Sequence, residues 1–296
     1  MKKINKTILV LSLIFVISYS MAGLFILFGG KLKTTPGLIL SIAYMFTPML
    51  SVLIVEKGIH REKIQQSLRI SFRINSWFLV AWLIMPVIGF GAFGISLLFP
   101  GIDYAPGMEG IMKQYENILT PEQLEQMRNS MGTLPVHPVW IALMQGLLAG
   151  ITVNAIAGFG EELCWRGFLV RQFSRMSFFK ASVIIGFIWG IWHAPLILLG
   201  HNYPQHPQTG VIMMIVWCIL LSPLFLYVTL KSRSVIAASV MHGTLNGTAG
   251  LSVILIDGGN DLSAGITGLA GFIALFLAIS GFYFYDRWIA KDKVIA

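Results

Sequence analysis

The twenty residues from Val211 to Leu230, VIMMIVWCILLSPLFLYVTL, hold no charged side chain. At 1.5 Å per residue a helix of that length reaches about 30 Å, the thickness of a bilayer's hydrocarbon core. A barrel strand would alternate apolar and polar residues over about 10 positions, and this run does not alternate. In lipid its backbone polar groups are then satisfied only within a helix. Similar runs fall near residues 7–29, 36–55, 76–99, 139–165, 181–200, 235–256 and 266–285. The expected fold is all-α: a polytopic integral membrane bundle of about eight transmembrane helices.

The whole chain agrees with that reading. Of 296 residues 56% are hydrophobic and 11% charged, with a mean hydropathy of +0.76, far from soluble averages. The net charge of +8 does not indicate nucleic acid, because the basic residues are spread over loops rather than gathered on one face. With the amino terminus in the cytoplasm, inside segments hold 17 of the 21 Lys and Arg, and the outside loops only Lys31, Lys33, Lys113 and Arg128. The positive-inside rule therefore puts both termini in the cytoplasm and implies an even number of spans, in a protein of the cell membrane. The first apolar stretch follows Met1-Lys2-Lys3 and is longer than a signal-peptide core, so an uncleaved first span is expected. Cys164 and Cys218 show no CxxC and no spacing of a structural zinc site.

The loops carry two further signals. Residues 100–138, on the outside, are acidic (Asp103, Glu109, Glu116, Glu122, Glu125) and contain Thr120-Pro121-Glu122-Gln123. That is a helix start, with Thr as cap, Pro at the first position and Gln reaching back, and such a helix would cover the outer face. The cytoplasmic stretch Glu56 to Asn75 mixes basic residues with Ile and Leu, as either a leaflet-bound segment or a solvated loop does. No fixed-period repeat, low-complexity tract or linker divides the chain, and a single membrane domain over residues 1–296 is expected.

Three segments place polar groups where lipid penalises them, at a few kcal/mol each unless paired. At the end of the fourth run lies Gly160-Glu161-Glu162-Leu163-Cys164-Trp165-Arg166-Gly167. Glu162 and Arg166 share a helix face and can pair, whereas Glu161 points about 100° away into a different environment. Two carboxylates and one guanidinium suit a division of labour, one ion-paired and one free to accept a proton; the competing reading is charge marking the membrane boundary. The fifth run contains Trp189 and His193 four apart, then Pro195, which frees the carbonyl of Ile191 and can kink the helix. The seventh carries His242 and Asn246 four apart, beside Gly243 and Gly247, which permit close helix approach. A His and an Asn together can donate to an oxyanion, or simply join helices. His60, His201 and His206 fall in loops, where solvation is the ordinary state. There is no HExxH, dinucleotide fingerprint, phosphate loop or GxSxG.

EExxxR at Glu161, Glu162 and Arg166, an aromatic-xxx-His at Trp189 and His193, and HxxxN at His242 and Asn246 together resemble the CPBP family. These are the CAAX-protease and bacteriocin-processing intramembrane proteases, also called the Abi family. The likeness covers about residues 139–256, and Trp189 stands where the family's pattern usually has Phe. The resemblance implies an eight-helix bundle with a water-containing cavity, and an endopeptidase of the kind that removes the last three residues of prenylated CAAX proteins. By the same resemblance Glu161 activates the attacking water with help from His193, and His242 and Asn246 hold the oxyanion. Glu162, Arg166 and Trp189 shape the site. The family is also called a metalloprotease, which makes Zn2+ on Glu161, His193 and His242 the alternative to a glutamate-activated water. The partners it implies are membrane lipid and a peptide or protein substrate, lipidated in CAAX processing, with no nucleic acid. Two other functions fit the same residues: a non-catalytic adaptor or bacteriocin-immunity protein, and a proton-coupled transporter, for which no related halves are visible.

Overall fold

The computed structural model describes residues 5–110, 112 and 119–295; Lys2, Lys3, Lys113 and Glu116 lie outside them. Helix α1 (Lys6–Leu27) starts on Asn5, whose side chain accepts from the Thr7 amide, and α2 (Thr35–Leu53) starts on Thr34, which accepts from Gly37. Asn75 caps α3 (Ser76–Ser96) in the same way, so polar loop ends satisfy amides that lipid would leave unpaired. Next come α4 (Pro121–Gly132), α5 (Pro138–Ile151) and α6 (Val153–Glu162), which runs on through π-helical turns at Leu163–Leu169. The remaining helices are α7 (Phe178–Trp192), α8 (Ala194–Leu198), α9 (Pro207–Ser232), α10 (Val235–Thr248) and α11 (Leu269–Phe284).

All eight apolar runs are helical, yet they do not all have the length of a span. Among the described residues five helices are long and apolar enough to cross a membrane, and α5 with α6 makes a sixth if counted as one span bent by 51°. The fourth run is thus two helices meeting at Thr152, where the sequence suggests one. Helices α7 and α10 have 15 and 14 residues, roughly 21–23 Å. Ten of the fourteen residues of α10 are buried, and a helix enclosed by protein need not match the lipid thickness. One continuous apolar core runs from Val10 of α1 to Leu275 of α11.

Short polar connections hold the ends together. The Thr120 capping box forms as read, with Gln123 and Thr120 satisfying each other's amides; no residue of α4 is buried, so it lies on the surface and covers little. Two short strands, β1 (Ile102–Tyr104) and β2 (Ile256–Gly258), pair antiparallel with Asp103 opposite Asp257, an element without a clear signal in so short a run. On the opposite face Glu56, fully buried after α2, is paired to Arg171 Nη2 at 2.7 Å and to Lys6 Nζ at 3.5 Å. The stretch 56–75 is therefore pinned at its start by an ion-pair cluster. A hydrogen bond from Lys6 holds the neighbouring Glu62 carboxyl below its usual pKa.

Helices α5 and α10 cross on glycine. Gly146 and Gly150 face Gly243 and Gly247, and a Cβ on any of the four would strike the other helix. The role read for Gly243 and Gly247 holds, and the pair they meet repeats their spacing on α5. A side chain here overpacks the crossing, so Gly243→Val is expected to cost about 1–3 kcal/mol in thermal unfolding of the detergent-solubilised protein. Gly23→Ala on α1, where no atom lies within 4 Å of the added carbon, should instead be neutral or stabilise by up to about 1 kcal/mol.

Candidate active site

Glu161, Glu162 and Arg166 are 2%, 0% and 0% exposed. They lie inside the bundle, which removes the boundary-charge reading. Glu162 pairs with Arg166, Nη1 to Oε2 at 3.1 Å, as the four-residue spacing requires. The guanidinium carbon sits 4.4 Å from the ring centroid of Trp189 and 4.5 Å from that of Phe225. Arg166 Nε and Nη2 have no hydrogen-bond acceptor among the described residues, and the two aromatic faces stand where water would otherwise solvate them. Phe225 comes from the charge-free run that defines α9; nothing in its local sequence marks it as a site residue.

Glu161 does point elsewhere. Its Oε2 accepts from two indoles, Trp189 Nε1 at 2.7 Å and Trp165 Nε1 at 3.3 Å. Tryptophan at position 189 thus supplies a donor that phenylalanine lacks. Trp165, one turn after Glu161 on the same face, is a site residue outside the three motifs, although its i,i+4 spacing is visible in the sequence.

The two histidines approach from α7 and α10. Pro195 has no N–H for the Ile191 carbonyl, and α7 ends at His193. The freed Ile191 carbonyl accepts from Tyr19 Oη and the Trp192 carbonyl from Tyr44 Oη, both at 2.7 Å, so α1 and α2 fix the kink beside the histidine. His193 Nδ1 lies 2.9 Å from the Trp189 carbonyl; a carbonyl only accepts, so Nδ1 carries the proton and Nε2 keeps its lone pair. His242 Nδ1 donates to Glu162 Oε1 at 2.8 Å, and its Nε2 lies 3.8 Å from Glu161 Oε1. Both imidazoles flank the Trp189 indole, with ring centroids 5.8 and 5.7 Å away. Gly158 of α6 faces the Cβ of His242 and leaves room for that approach.

Glu161, Glu162, Arg166, Trp189, His193 and His242 are thus drawn into one cluster. Asn246 is one turn farther along α10, exposed at the bundle surface, and its side chain has no hydrogen-bond partner among the described residues. Of the loop histidines, His206 is not simply solvated: its Nδ1 is 2.6 Å from Asp261 Oδ1, which ties two loops together.

The resemblance raises Zn2+ as a bound metal. Among the described residues no three His, Cys, Asp or Glu side chains converge to hold one. Glu161, His193 and His242 as arranged do not fit a zinc site.

Residues 137–248 match the family model described as type II CAAX prenyl endopeptidase Rce1-like. The match begins at His137, which caps α5, and ends at Thr248, the last residue of α10. A curated relative, CAAX prenyl protease 2 of Methanococcus maripaludis, is 31% identical over 144 residues, which make up 45% of this chain and 48% of the relative. The matched segment carries all three motifs, and the match and the relative both support membership of the CPBP family. It spans about half the length of the curated relative it matches.

Removing one partner of the buried pair strands the other in an apolar interior. Arg166→Met is expected to destabilise by about 3–5 kcal/mol, and the double change Glu162→Gln/Arg166→Met to recover part of that loss. Chemical or thermal unfolding of the four proteins of the cycle measures both.

Proposed function

We propose that this protein is an intramembrane endopeptidase hydrolysing a peptide bond of a membrane-bound, lipidated substrate at the cytosolic side, with both termini in the cytoplasm of a cell membrane. The observation that carries the reading is Glu161: a buried carboxylate with Oε2 tethered by two indoles and Oε1 turned towards His242. A water beside Oε1 attacks the scissile carbonyl carbon while Glu161 takes its proton, with the lone pair of His193 Nε2 as the second acceptor for that water. His242 Nε2 and the Asn246 amide donate to the oxyanion formed as the C=O opens. When the intermediate collapses, the C–N bond breaks and Glu161 returns the proton to the departing amine.

Glu162 and Arg166 act through His242 and Trp189. Glu162 fixes the orientation of the His242 ring, and Arg166 holds Glu162 and the Trp189 face. Two carboxylates facing one guanidinium and one imidazole are neutralised by one shared proton, which suits a site that takes up and returns a proton in each cycle. The Rce1-like match and the name of the archaeal relative support a CAAX-type protease. The exposed Asn246 beside buried His242 suits a substrate entering from the bundle surface.

Cleavage of a membrane-inserted peptide by purified protein tests the assignment. Glu161→Gln and His193→Ala are each expected to slow cleavage about 10²–10⁴-fold and Asn246→Ala about 10²-fold, with folding retained; parental rates for Glu161→Gln would sink the proposal. The donor geometry also predicts that a strong zinc chelator leaves the rate unchanged and that active protein contains no stoichiometric metal by elemental analysis.

A further inference from the structure

Four basic residues converge away from the cluster just described. Arg69, Lys231, Arg233 and Lys293 line a cavity of about 780 Å³ together with Trp77, Leu230, Val294 and one acidic residue, Asp292. The lining therefore carries a net charge of +3. The side chains of Arg69, Arg233 and Lys293 have no hydrogen-bond or ion-pair partner among the described residues, and Lys231 Nζ donates to the main-chain carbonyl of Asp292. Arg69 is half-buried, so its guanidinium has given up part of its hydration with no counter-ion in return, an arrangement that an incoming anion would relieve.

The backbone around these cations is fixed. Arg233 closes α9 in the left-handed conformation, with φ at 56°, where glycine is the usual residue. Arg69 has the same φ of 56°, and its carbonyl accepts the Val235 amide at the start of α10. The third wall is held by Asp286, buried on the last turns after α11, which accepts from the amides of Val294 and Ile295 and from Tyr227 Oη.

The pocket lies at helix ends, beside the start of α3 and the end of α9. Trp77, at the start of α3, packs edge-on to Tyr227 at 5.3 Å and Tyr285 at 5.8 Å, and Lys231 Nζ lies 5.7 Å from the ring centroids of Trp77 and Tyr227. Amphipathic rings at a helix end are the usual sign of headgroup depth. A lipid there presents a phosphate to the cations and glycerol to Trp77.

We infer that this pocket binds a phosphate-bearing anion, the headgroup of an anionic phospholipid in the leaflet it faces, at a site separate from the Glu161 cluster. Guanidinium groups suit a phosphate through paired N–H donors, and net +3 selects it over a zwitterionic headgroup, which brings its own cation.

The test is equilibrium binding of short-chain fluorescent phosphatidylglycerol, against the same-chain phosphatidylcholine, to the full chain in uncharged detergent. Phosphatidylglycerol is expected to bind about tenfold or more tighter, since each cation near an anionic surface contributes about a factor of five. Arg69→Gln/Arg233→Gln/Lys293→Gln should erase the preference, and Lys57→Gln/Arg61→Gln/Lys63→Gln, which removes the same charge from the exposed loop, should keep it. If the pocket triple does not fold, Arg233→Gln alone, at an exposed position, should weaken the preference about fivefold. Inorganic phosphate that displaces the lipid shows that the phosphate group alone is recognised, and failure to displace assigns the site to the whole headgroup. No preference in the parent protein, or equal loss in both triples, overturns the proposal.

Discussion

The ion pair between Glu162 and Arg166 is the constraint around which the second half of this protein is arranged. A guanidinium with no contact to water costs several kcal/mol unless its partners are close and well aligned. Here they come from three helices: Glu162 ends α6, Arg166 lies in the turns that continue it, Trp189 comes from α7 and Phe225 from α9. Satisfying one buried charge thus fixes the distances between these elements. The His242 hydrogen bond to Glu162 brings α10 into the same set.

Trp189 converts that structural arrangement into a chemical one. Its face takes Arg166, its indole N–H takes Glu161, its carbonyl takes the His193 proton, and its edge neighbours His242. The same residue therefore relates the ionic half of the cluster to the half with a free carboxylate oxygen and a free imidazole lone pair. A preorganised site of this kind pays its reorganisation cost on folding rather than during reaction. The glycine crossing of α5 and α10 and the kink at Pro195 serve the same end, one by letting α10 approach, the other by ending α7 at the histidine.

Much of this was legible because it is local. Apolar runs marked the helical segments, Thr120 and Gln123 marked a helix start, and i,i+4 spacing marked the Glu162–Arg166 pair. Glu161 was separable from Glu162 because adjacent helical residues point about 100° apart. The bend at Thr152 and the short α7 and α10 were less legible, since an apolar run has the same composition whether lipid or protein surrounds it. Trp165 was readable from its spacing to Glu161, whereas Phe225, Tyr19 and Tyr44 gave no signal: their roles depend on segments far away in the chain.

By itself the sequence determined that this is a helical membrane protein with carboxylates, histidines and an arginine at helical spacing on separate apolar runs, because periodicity and hydropathy are properties of neighbouring residues. Only the tertiary structure decided which atoms those groups present to one another. It turned Glu161 Oε2 to two indoles, placed His242 between two carboxylates, left Asn246 open at the surface and gathered four cations from a helix end and two loops into one pocket. The reason is physical: a charge or hydrogen bond buried away from water is satisfied by whatever packs against it, and packing is fixed by all the helices together.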